Sequence, residues 1–167
     1  MKLIKLTAFP LIIAVSLLSL SSCERDAEQK KTTEYERKAI PMTGAQETPA
    51  TPTTGMGNID VSYSKETRTL NYTVTWSGLT GAVSLMHIHG LAPVGFQASV
   101  VQNIITPTNG IAVPNASLYG TAGKFSGTFF VDGVAVKEQD LLNGMYYLNI
   151  HTATYPSGEI RGQIVFQ

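Results

Sequence analysis

The sequence predicts an all-β domain, a Greek-key β-sandwich of about seven or eight short strands with one short helix. Two alternating segments and a steady punctuation by turn residues predict it. Ile59, Val61 and Tyr63 alternate with Asn58, Asp60 and Ser62. Leu70, Tyr72, Val74 and Trp76 alternate with Asn71, Thr73, Thr75 and Ser77. Such a period of two gives a strand one apolar and one polar face. Ser64 to Thr67, between these strands, reads as a hairpin turn. Further strands are expected near 83–89, 98–105, 123–131, 145–151 and 159–166, where Gly78, Gly81, Pro93, Gly95, Pro107, Gly110, Pro114, Pro156 and Gly158 mark the breaks. A single helix is expected over Lys137 to Asn143, stopped by Gly144 in the left-handed conformation. Trp76, Met86 and Met145 are assigned to the core.

Composition narrows the function classes. Twelve Lys and Arg balance 12 Asp and Glu, giving a formal net charge of +0. A nucleic-acid binder needs a surplus of basic charge on one face, so no nucleic-acid partner is expected. The single cysteine excludes an intramolecular disulfide, leaving packing to hold the domain.

The N-terminus has three zones. Lys2 and Lys5 precede an apolar run over 6–20, and Leu20-Ser21-Ser22-Cys23 places small residues directly before the cysteine. These are the zones of a cleavable signal peptide over 1–22. The Leu-Ser-Ser-Cys ending resembles the lipobox of bacterial lipoproteins, which implies acylation (palmitate-type chains) at Cys23. The expected location is the cell envelope outside the cytoplasm, anchored by lipid, at the outer membrane on its periplasmic or surface face. Residues 24–38 carry ten charged side chains and almost no apolar ones. Such a stretch cannot repay its ordering entropy, so 23–39 is expected to be a solvated linker and 40–167 the domain.

All three histidines fall in two predicted strands, within Met86-His87-Ile88-His89-Gly90 and Leu148-Asn149-Ile150-His151-Thr152. Residues i and i+2 of a strand share a face. His87 and His89 therefore project together, opposite Met86 and Ile88. His151 joins Tyr147 and Asn149, opposite Tyr146, Leu148 and Ile150. If the apolar rows face the core, the histidines lie on the outer surface beside Glu159 and Arg161. Three imidazoles so placed suit copper, with zinc second, and Glu159 or Glu47 could complete the set. The competing reading is structural: histidines hold strand ends, and Glu159 and Arg161 form an internal ion pair.

Several longer segments carry a family likeness. They are Gly44-Ala45-Gln46-Glu47-Thr48-Pro49, Gly55 to Val61, Leu79-Thr80-Gly81, His87 to Ala92 and Gly127-Thr128. The longest is Gly144 to Thr152, followed by Tyr155-Pro156-Ser157-Gly158-Glu159-Ile160-Arg161-Gly162-Gln163. Together they resemble the CHRD domain, the module repeated in chordin and common in bacterial secreted proteins. The resemblance implies a sandwich of immunoglobulin-like or superoxide-dismutase-like form. The His-x-His strand is also similar to the copper-ligand strand of copper/zinc superoxide dismutases. The bridging histidine, the further zinc-site histidines and the disulfide of those enzymes are missing here, so dismutase activity is not implied.

Other chemistries find little support. No Gly-x-Ser-x-Gly elbow, phosphate-cradling glycine loop or usefully spaced carboxylate pair occurs in the domain. The expected function is an anchored binding module with a three-histidine metal site, Arg161 and Asn149 supporting it. The alternative is a metal-free adhesion or scaffold module with a protein partner that the sequence does not name. A copper enzyme is the weaker third option. The loop 90–103 is expected to cover a site or present a partner surface, and 106–120 has the same loop-like composition.

Overall fold

The computed structural model describes residues 33–106 and 119–166. The segment read as a signal peptide, Cys23, the first part of the linker and most of loop 106–120 lie outside the described residues. The described residues form eight antiparallel strands: β1 (Glu34–Thr43), β2 (Met56–Ser64), β3 (Thr69–Ser77), β4 (Val83–Gly90), β5 (Val100–Ile105), β6 (Gly123–Phe130), β7 (Tyr146–Thr152) and β8 (Ile160–Ile164). They make one sheet in the order β5-β4-β7-β8-β1-β2-β3-β6.

The sheet curls until its edges approach. Gln102 of β5 donates from Nε2 to the carbonyl of Thr128 in β6 at 2.8 Å, and Tyr72 Oη donates to Gln102 Oε1 at 3.3 Å. Closed through that seam, the strand order is a Greek key, and the fold is an all-β sandwich close to a barrel. Its interior holds Ile59, Val61, Tyr63, Leu70, Tyr72, Val74 and Trp76 from the two alternating strands, with Met86, Ile88, Leu148, Ile150 and Ile160 from the far side. The alternation in β2 and β3 survives residue by residue in their burial.

The short helix α1 spans Glu138–Leu142. Gly144 follows with φ +71, and its amide closes on Leu141 O at 3.0 Å, as a left-handed helix stop requires.

β1 departs from the expectation of a solvated linker. Its first half, Glu34 to Arg37, pairs with Ser64 to Val61 of β2. Most of that half is exposed, so its side chains give no alternation to read. The backbone ladder to β2 holds it instead. A bulge follows, with Ala39 at φ 53 donating its amide to Asp60 Oδ1 at 2.8 Å. Beyond the bulge Ile40 and Met42 turn into the core.

β4, β7 and β8 are buried on both faces. Their inner rows join the core. Their outer rows lie under two loops, 91–99 and 153–158, and this second covered layer contains the histidines.

Candidate metal centre

Register brings the three histidines together. β4 pairs with β7 so that His87 faces Asn149 and His89 faces Tyr147, with His151 opposite Leu85. His87, His89 and His151 each offer one ligand nitrogen, and these atoms all lie within 4.8 Å of one another. The parity read from the sequence therefore stands. The expectation of a surface site does not: the three side chains are 7%, 8% and 6% exposed. The covering loops bury them: each follows its histidine strand directly, but strand parity says nothing of how a loop folds back over the strand.

The same loops orient the rings. His89 Nδ1 donates to the Ala98 carbonyl at 2.9 Å, and His151 Nδ1 donates to the Pro156 carbonyl at 3.0 Å. A carbonyl only accepts, so Nδ1 carries the proton in both rings and Nε2 presents its lone pair. Metal-binding imidazoles are held in this way. His87 completes the arrangement differently: its Nδ1 is buried with no hydrogen-bond partner. An orphaned ring nitrogen beside two oriented ones fits a metal ligand, because an unpaired buried polar atom is otherwise costly.

Electrostatics favour the neutral, metal-binding form. Burial, then the neighbouring His151 and His89, lowers the His87 pKa from 6.5 to about 4. His89 and His151 are also lowered, burial being the largest cause for each. Three neutral imidazoles in one covered pocket can hold a metal ion.

The acidic residues take other roles. Glu159 is fully buried and accepts from Thr53 Oγ1 at 2.7 Å, Thr80 N and Oγ1 at 2.8 Å, and Thr152 Oγ1 at 2.6 Å. Burial pushes its pKa up, but these bonds outweigh that and the net shift is downward. It staples three segments and stands outside the histidine cluster. Glu47 also lies outside the cluster. It is buried against Gly158, whose φ of +129 and missing Cβ admit the close approach of Glu47 and Asn149. Burial raises the Glu47 pKa to about 7, with Arg161 and the Asn149 amide pulling the other way.

Arg161 makes no ion pair with Glu159. Only 1% exposed, it donates to the Phe96 carbonyl at 2.8 Å, to Gln163 Oε1 at 2.9 Å and to the Pro93 carbonyl at 3.4 Å. Its guanidinium stands 3.4 Å over the Tyr147 ring. Gln163 Nε2 adds bonds to the carbonyls of Ala92 and Gly144 at 2.8 and 2.7 Å. Loop 91–99 is thereby clamped over the site, and Ala98 is held where His89 needs it.

Sequence reasoning named Arg161 and Asn149 and placed Tyr147 on the outer row without giving it a role, but missed Gln163 and the carbonyls of Ala98 and Pro156. The carbonyls leave no side-chain signal. Tyr147 and Gln163 were legible only as outward members of strands with Asn149 and Arg161.

No curated protein and no solved structure matches the chain. The family model of the CHRD domain matches residues 39–164, which cover the curled sheet from the second half of β1 onward and all three histidines. The chain belongs to the CHRD domain family.

Proposed function

We infer that this chain is a lipid-anchored envelope protein whose CHRD domain binds one Cu(II) ion through His87, His89 and His151. One observation carries the metal reading. Two imidazoles have Nδ1 tied to loop carbonyls, and the third has a buried Nδ1 with nothing to bond. The donor set is three nitrogens with no thiolate or carboxylate, which suits copper first and zinc second. When bound, copper would supply Lewis-acid or one-electron chemistry. The thioether of Met86 adds nothing, since it lies in the core on the opposite face.

Anchoring rests on the Leu20-Ser21-Ser22-Cys23 ending. The anchor holds the domain outside the cytoplasm, at the outer membrane. Stable attachment takes two acyl chains or more, which a processed lipoprotein cysteine carries. The partner of the domain in this reading is the membrane and the ion.

The test is metal analysis and calorimetry on the mature chain. Binding of one Cu(II) per chain is expected, lost in the His87→Ala/His89→Ala double variant with the fold intact. Stoichiometric binding retained by that variant would exclude the site. Acyl labelling lost in Cys23→Ala checks the anchor.

A second reading has one observation in its favour. Leu91, Val94 and Phe96 are 52%, 66% and 65% exposed on the clamped loop, an apolar display that a protein partner could cover. In that reading the histidines serve only to hold the loops.

A further inference from the structure

Asn149 occupies the position between the two oriented rings. Its Oδ1 position lies 3.1 Å from His89 Nε2 and 3.0 Å from His151 Nε2. Both Nδ1 atoms already donate to carbonyls, so both Nε2 atoms are acceptors when the rings are neutral. An amide oxygen cannot bond to two acceptors. Turned by 180°, the same amide presents its NH2 group, whose two hydrogens serve both lone pairs at once.

An ion bound to either Nε2 needs a distance of about 2.0–2.1 Å. On the line from that nitrogen to the amide, it would stand ~1 Å from the amide atom, well inside any contact distance. The ion and this amide position exclude one another. The amide has somewhere to go: the buried Glu47 carboxyl lies within reach of its NH2 group, the two packing against the same face of Gly158.

We propose that Asn149 is a placeholder, its side-chain amide bridging His89 and His151 in the metal-free protein and swinging toward Glu47 when an ion enters. This rests on the metal reading above and adds how the site is regulated. The empty site is thereby kept bonded and folded. The displaced bonds are the same whichever ion enters, so the amide sets a threshold common to all ions. It leaves the preference for one ion over another unchanged.

The experiment compares the native chain with Asn149→Ala and with Asn149→Ser, whose shorter side chain cannot span both rings. Affinities for Cu(II) and Zn(II) are measured separately by competition with a chelator. Losing two neutral hydrogen bonds corresponds to about a tenfold tightening. Both ions should tighten by the same factor in both variants. In the metal-free native chain the Asn149 side-chain amide protons should be protected from exchange and coupled to the ring nitrogens, and Zn(II) should abolish that coupling. Unchanged binding in variants that fold overturns the placeholder while leaving the metal site standing, as does tightening for one ion alone; weaker binding overturns it too and marks Asn149 as a ligand. If neither variant folds, the native amide spectrum decides: an unprotected, uncoupled amide overturns the proposal. A native chain that takes up neither ion overturns the metal reading and the placeholder together.

Discussion

His89 and Tyr147 lie face to face across the β4–β7 ladder, their ring centroids 4.8 Å apart and their planes within 3° of parallel. Arg161 stands over the Tyr147 ring, and Tyr147 Oη accepts from the Ala98 amide at 3.3 Å. Ala98 in turn receives the Nδ1 proton of His89. One phenol ring thus supports a candidate ligand directly and through the loop that orients it.

Tyr147→Ala should cost about 3–5 kcal/mol, the usual penalty for deleting a buried aromatic ring. Tyr147→Phe keeps the stack and loses one long hydrogen bond, so about 1 kcal/mol is expected. Urea unfolding of both variants, with Cu(II) affinity measured alongside, checks the order. Equal losses in the two variants would mean that the stack contributes nothing.

Arg161→Ala should destabilise the metal-free chain by about 3 kcal/mol, because the carbonyls of Phe96 and Pro93 and Gln163 Oε1 are left without their donor. The damage should be local. Amide hydrogen exchange should quicken at Ala92 and Ala98 while the β2–β3 ladder stays protected. Arg161→Lys should recover little, since an ammonium lacks the planar fork that reaches separate acceptors.

Acid should weaken the metal-free fold through the histidines. The folded pKa of His87, about 4, lies below its ordinary 6.5, so the native state resists taking up the proton. Its stabilisation is complete above 6.5 and is lost as pH falls toward 4. The loss is on the order of 3 kcal/mol for His87 at 1.36 kcal/mol per unit. Denaturation midpoints between pH 7 and pH 4 measure it, and His87→Gln should flatten that limb.

Glu47 has the opposite sign. Its folded pKa, about 7, lies above the ordinary 4.5. Its contribution is full below 4.5 and is lost as pH rises through 7. Glu47→Gln should therefore stabilise the metal-free chain at pH 8 by about 3 kcal/mol, with little effect at pH 4.5. A gain of the same size at both values would separate the effect from ionisation.

Much of the histidine cluster could be read along the chain, because strand parity is local. His87 and His89 share a face through the pleat alone, whatever packs above them. The alternation of β2 and β3 was equally plain, since each has one wet and one dry side. β1 was hidden for the converse reason: its ladder to β2 is a backbone interaction, and its side chains are mostly in water.

Residue order alone specified a β-rich chain, its family, and three imidazoles on the outer side of two strands. Folding decided that this outer side is an interior. The decision belongs to the turn at Pro156, which folds back on β7, and to loop 91–99, which Arg161 and Gln163 of β8 clamp down from some 65–71 residues away in the chain. Burial, tautomer and the orphaned nitrogen of His87 all follow from that closure, because each depends on which atoms have replaced water around the rings.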